Sequence, residues 1–377
     1  MDTNKNNLKE VIFLFFKLGC IAFGGPAAHV AMMEEEVVNK RKWMSRQHFL
    51  DLMGATNLIP GPNSTEMTMH CGHERAGIPG LFAAGISFIF PAVVITGVLA
   101  WAYTEYGQLP EVQPFIYGIK PAVLAIIAGA IFKLGKKALK NTELGILGAL
   151  VLIASVLGVN EILALLGAGL IGAIYFYVRQ GNTTNSLLPL TFILGSDPLA
   201  DDKLINTSKI FWSFLKVGSI LYGSGYVLFA YLDAELVMNG LLSRQELIDA
   251  VAVGQFTPGP VLSTATFIGY QMGGVKGAMA ATAGIFLPSF LFVWILNPLI
   301  PKMRKSLFLR GFLDSVNIAA VAVMCSVLIS MAQDTLTNWQ SIVLAILGLV
   351  FTFGPKKLSA MWIVLGSSIL GYLLMLI

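Results

Sequence analysis

Apolar runs recur along the whole chain between short polar stretches. They fall at roughly 8–38, 78–103, 112–132, 142–158 and 161–178, and again at 209–239, 275–298, 311–332, 340–353 and 358–377. A helix of about 17–25 apolar residues crosses a bilayer. Between the first and second run of each set lies a stretch interrupted by Pro-Gly-Pro, 46–76 around Pro60-Gly61-Pro62 and 244–274 around Pro258-Gly259-Pro260. Each arm of these stretches has about 13–15 residues, which at 1.5 Å per residue is too short to span. The pattern predicts a re-entrant hairpin that enters and leaves on one side. Broken backbone is tolerated at membrane depth only where it is buried in protein or lines a cavity.

The two sets of runs share a register. Ser45-Arg46-Gln47 recurs as Ser243-Arg244-Gln245, Lys17 and Gly19 as Lys216 and Gly218, and Asp51 as Asp249. Gly80, Pro91 and Ala122 recur as Gly277, Pro288 and Ala319. Chance likeness between apolar helices matches Leu and Val, not Gly, Pro, Lys and Asp together. Five crossings per half is an odd number, so the second copy is expected to be upside down. The prediction is an all-α polytopic membrane protein of two inverted-topology repeats, each with about five transmembrane helices and a re-entrant helical hairpin. The first repeat occupies 1–180, a polar cytoplasmic linker 181–207, and the second repeat 208–377.

Loop charges give the orientation. Lys40, Arg41, Lys42 and Arg46, then Lys133, Lys136, Lys137 and Lys140, Arg179, Lys203 and Lys209, Lys302, Arg304, Lys305 and Arg310, and Lys356 and Lys357 all fall on one predicted face. The turns at 103–111 and 333–340 carry no Lys or Arg. The positive-inside rule makes the basic face cytoplasmic. Lys5, Lys9, Arg244 and Lys276 run against it. The first apolar run has no small-residue cleavage site and reads as a retained helix.

Composition narrows the class. Hydrophobic residues make up 56% of the 377 residues and charged ones 12%, against about 25% charged in soluble domains. There is no basic, aromatic-interleaved patch for nucleic acid. Cys20, Cys71 and Cys325 have no metal-ligand spacing. No HExxH, GxSxG or GxxxxGK[ST] occurs. The expectation is a transporter with no catalytic residue, metal or cofactor.

Gly24-Gly25-Pro26 predicts a break in the first segment, since proline suits the first turn of a helix. Pro60-Gly61-Pro62 followed by Asn63, Ser64 and Thr65 repeats the device. The second half supplies starts after Gly223-Ser224-Gly225 and at Pro258-Gly259-Pro260. A helix start offers unpaired N–H groups and about half a positive charge, a ready anion site. Four converging starts would total about two positive charges and suit a small dianion. The plainer alternative is that Gly and Pro only permit tight packing.

Lys17 and Lys216 sit inside apolar helices, either to attract the anion or to snorkel. Glu66 and His70 share a helix face and could relay protons or satisfy each other; Arg75 follows them. His29 carries the same two readings. Glu34 and Glu35 read as a helix end at the interface or as a cytoplasmic gate. Asn57 and Gln255, each three residues before its kink, offer amides to an oxyanion or to freed backbone. Lys120, whose counterpart is Asn317, could add positive potential.

At these residues the chain resembles the chromate ion transporter family in its long, two-domain form. The motifs are Phe23-Gly24-Gly25-Pro26 with His29, Glu34-Glu35 and Trp43, and Asn57-Leu58-Ile59-Pro60-Gly61-Pro62-Asn63-Ser64-Thr65-Glu66 with His70-Cys71-Gly72 and Arg75-Ala76-Gly77. Tyr222-Gly223-Ser224-Gly225-Tyr226 and Gln255-Phe256-Thr257-Pro258-Gly259-Pro260 carry it into the second half. The resemblance implies an inner-membrane carrier that exports chromate, confers resistance and draws on the proton or electrical gradient. Sulfate uptake or exchange and a passive anion channel remain open alternatives. So do protons as a partner and a homodimer as the assembly.

Overall fold

A computed structural model of the chain describes residues 2–23, 25–107, 109–179, 206–222, 225–296, 306–354 and 358–375. Gly24, Gly223, Ser224 and nearly all of the predicted linker 181–207 lie outside these ranges, as do Lys203, Lys302, Arg304, Lys305, Lys356 and Lys357. The described residues form helices and no strands. The first half holds α1 (Asp2–Ile21), α2 (Pro26–Glu34), α3 (Arg46–Thr56), α4 (Asn63–Tyr106), α5 (Gln113–Ala138), α6 (Thr142–Val156) and α7 (Glu161–Arg179). The second holds α8 (Thr207–Ile220), α9 (Leu228–Leu232), α10 (Arg244–Phe256), α11 (Thr264–Leu296), α12 (Leu307–Thr335), α13 (Trp339–Phe353) and α14 (Ala360–Met375). Five described segments are long and apolar enough to cross a membrane: α4, α5, α7, α12 and Val261–Leu296. The helices α6, α13 and α14 are apolar but shorter. This is a multi-pass membrane protein.

Local chemistry explains the breaks. Pro26 opens α2 behind Gly25, whose φ of 80° favours glycine. The repeated Ser-Arg-Gln is an N-cap: Ser45 accepts from the His48 N–H, and Ser243 forms a capping box with Glu246. Past each Pro-Gly-Pro the chain folds back a second time. Ala76 and Gly77 leave the helical region, and Gly273 and Gly274 do so with nearly the same angles. Gly72 then meets the Gly80 backbone and Gly269 that of Gly277 so closely that no Cβ would fit. Small residues serve such close backbone approach between membrane helices.

The packing is reciprocal. Helix α1 lies on α4, and α8 on α11. Helix α5 packs on α13 and α14 of the other half, while α12 packs on α6 and α7. The two halves therefore interlock instead of standing side by side. The four expected helix starts are not alike. Those at Pro26 and Asn63 are α-helical, but the second half opens with single 3-10 turns at Gly225–Val227 and Val261–Ser263. Helix α9 has five residues and continues directly as a π-helical turn over Asp233–Val237.

Candidate functional site

The two kinks reach across the molecule to the opposite helix break. The Gly61 N–H donates to the Leu221 carbonyl at 2.7 Å, and the Gly259 N–H donates to the Ala22 carbonyl at 2.9 Å. Ala22 and Leu221 each close the first helix of a half, so the four breaks meet in two crossed pairs. The two glycine N–H groups thus hold the backbone of the opposite half.

The pair formed by the first break and the second kink encloses a cavity of about 200 Å³. Phe23, Gly25 and His29 line it from the first break, Gln255, Thr257 and Gly259 from the second kink, and Lys133, Thr352 and Ser359 stand among mostly apolar residues elsewhere in its wall. Its polar groups are an imidazole, an amide, three hydroxyls and one lysine. The Gln255 Nε2 is buried with no hydrogen-bond partner. His29 is buried and its Nε2 lies 3.0 Å from the Ala22 carbonyl, so that nitrogen carries the proton. Its Nδ1 has no partner; it is a lone pair in the neutral ring and a donor in the protonated one. Lys133 adds a cation at the end of α5. An uncharged amide, hydroxyls and one lysine suit a small oxyanion better than a cation.

At the crossed counterpart, first kink against second break, Asn57 is exposed and the residues after it are mostly buried. Glu66 is fully buried and neither carboxyl oxygen accepts a hydrogen bond. A side-chain carbon on Gly61 would lie 2.2 Å from Glu66 Oε1 and 2.4 Å from Ser289 Oγ, which also has no partner. At the second kink a Cβ on Gly259 would meet Ala92 at 2.8 Å, and Thr264 is the repeat counterpart of Glu66. Asn57 caps α3, donating to the Met53 carbonyl and accepting from Asn63 across the kink at 2.7 Å. Pro60, Pro62, Ser64, Thr65 and His70 are buried around it.

The remaining predicted residues lie elsewhere. Lys17 is 4.0 Å from Glu36, and Lys216 is 2.8 Å from Glu235, a matched pair of ion pairs beyond the breaks. Glu34 pairs with Arg46, Glu35 with Lys40, and Arg75 with Glu10 beneath the face of Trp43. Gly25, His29, Gln255 and Gly259 are thus brought together in one cavity, and Lys17, Lys216, Glu34, Glu35 and Arg75 are not.

Sequence reasoning passed over two features. Lys133 was counted among the loop cations, though it lies within α5. Asp249 on α10 is 5% exposed; it accepts from Tyr103 Oη at 2.6 Å and faces Lys120 at 3.6 Å. First-half side chains thereby grip the second hairpin about two turns before Gln255. An intramembrane lysine with an acidic partner was the available signal.

Comparison with known proteins adds a second kind of evidence. The family profile described as Chromate transporter matches residues 9–173 and again residues 208–372. A chromate transport protein of Cupriavidus metallidurans is 31% identical over 374 residues, covering 97% of this chain and 92% of its own. A probable chromate transport protein of Synechococcus elongatus is 30% identical over 97% of this chain and 95% of its own. A chromate transport protein of Pseudomonas aeruginosa is 28% identical over 95% and 90%. No solved structure shows a significant match.

Proposed function

The chain belongs to the chromate transporter family, and from that premise we propose that it is a secondary active transporter that exports chromate across the inner membrane and so confers resistance. The carrying observation is the buried, unpartnered Gln255 Nε2 on a residue that lines a cavity shared by both halves, framed by crossed backbone bonds between them. The reciprocal bonds and packing support two inverted repeats, 1–180 and 208–377, each with a re-entrant hairpin, joined by a cytoplasmic linker. Lys133 belongs to the basic, cytoplasmic face, so the open cavity is an inward-facing one. The crossed counterpart around Asn57, Asn63, Gly61 and Glu66 is the arrangement that opens when one hairpin-bearing bundle rocks against the other. With the cell interior negative, outward movement of an anion is favoured by about 2.3 kcal/mol per charge per 100 mV.

Glu66 and His70 are the proposed proton-coupling residues. No protein donor holds Glu66 as a permanent anion, so it is available to load and release a proton as the halves rock. Glu66→Gln is expected to abolish the pH dependence of transport and leave chromate binding in place. Unchanged pH dependence would move the coupling elsewhere. The second reading, sulfate movement, rests on the same donors, which recognise any small tetrahedral dianion. Proteoliposome flux of chromate and of sulfate, at controlled voltage and pH and in each direction, tests both. Accumulation against a gradient separates a carrier from a channel.

A further inference from the structure

A larger cavity, about 350 Å³, lies away from the kinks, where the two halves meet on the basic face. Asn141 and Arg179 line it from the first half, and Arg310, Gly311 and Asp314 from the start of α12. Lys140 pairs with Asp314 at 2.6 Å, and Arg179 pairs with Glu143. Arg310 has no ion-pair partner among the described residues. Among the described residues, three cations stand against two carboxylates, one positive charge in excess. A phosphodiester, which carries one negative charge, complements it. Guanidinium groups bind phosphate oxygens in a planar, two-point fashion. The wall beside Arg179 is apolar and exposed, with Ile171, Ile174, Tyr175 and Val178 all turned outward on α7, where acyl chains run.

We infer that this cavity binds the phosphodiester headgroup of an anionic phospholipid, which bridges α7 of one half to α12 of the other. Basic pockets between membrane helices on the cytoplasmic side bind such headgroups. The lipid holds the halves together at a seam that the anion cavity does not touch. The inference does not depend on the transported substrate.

Native mass spectrometry of the purified chain tests it, with phosphatidylglycerol, phosphatidylcholine and inorganic phosphate titrated separately. Phosphatidylglycerol is expected to bind and to raise the unfolding temperature, and phosphatidylcholine to do neither. Arg310→Gln is expected to weaken phosphatidylglycerol binding by roughly tenfold or more, since a hydrogen bond between charged groups is lost. Lys136→Gln, on α5 and outside the cavity, is expected to change nothing. Should Arg310→Gln not fold, Arg179→Lys keeps the charge, loses the planar fork and is expected to weaken binding in the same direction. Equal binding of phosphatidylcholine, or unweakened phosphatidylglycerol binding in the folded variants, overturns the inference. An equal response to inorganic phosphate assigns the cavity to a free anion and overturns the lipid as its occupant.

Discussion

Gln255 shows how much one side chain decides here. Its amide nitrogen is buried without a hydrogen-bond partner, the residue lines the cavity, and a hydrogen bond to a charged group is worth about 1.5–3 kcal/mol. Gln255→Leu is therefore expected to weaken chromate binding roughly 10- to 100-fold with little change in thermal stability, read by equilibrium binding on the purified protein. His29→Ala removes the ring bond to the Ala22 carbonyl. Its transport is expected to fall, as measured in proteoliposomes. The amide three residues before each kink was visible in the sequence, and so was His29 after its proline. The partners of Lys17 and Lys216 were not visible. Glu36 and Glu235 are brought back to them only by the turn at each break, which no helical spacing predicts.

Backbone geometry carries the element scale. Gly77 (φ 65°, ψ −154°) and Gly274 (φ 59°, ψ −148°) occupy a region nearly closed to other residues, although a Cβ on either would meet open space. Gly77→Ala and Gly274→Ala are each expected to cost about 1–3 kcal/mol, seen as a lower unfolding temperature in detergent. The grip on α10 makes a sharper test. Removing one member of a buried ion pair costs up to about 3–5 kcal/mol, because the other charge is left uncompensated. Asp249→Asn alone is expected to destabilise strongly, and Lys120→Met with Asp249→Leu to recover most of the loss. The kinks and spans could be read from Gly, Pro and apolar run length. The 3-10 openings at Gly225 and Val261 could not, since Gly and Pro permit either kind of turn and the crossed hydrogen bonds select one.

At the scale of the molecule, repeated Gly, Pro, Lys and Asp revealed the duplication, but the interlocking of α5 with α13 and α14 and of α12 with α6 and α7 depends on tertiary contacts that no single run encodes. The orientation is tested by single cysteines at Glu105 and Lys140, which are expected to react with impermeant reagent from outside and inside respectively. The breaks meet in two crossed pairs, one beside the cavity that Gln255 lines and one over the buried Glu66. The most direct test of that division is the chromate dissociation constant of purified wild type, Gln255→Leu and Asn57→Leu, measured side by side. If the open cavity is where the anion sits, Gln255→Leu loses at least about tenfold in affinity while Asn57→Leu binds nearly as wild type does. Wild-type affinity in Gln255→Leu would contradict that placement.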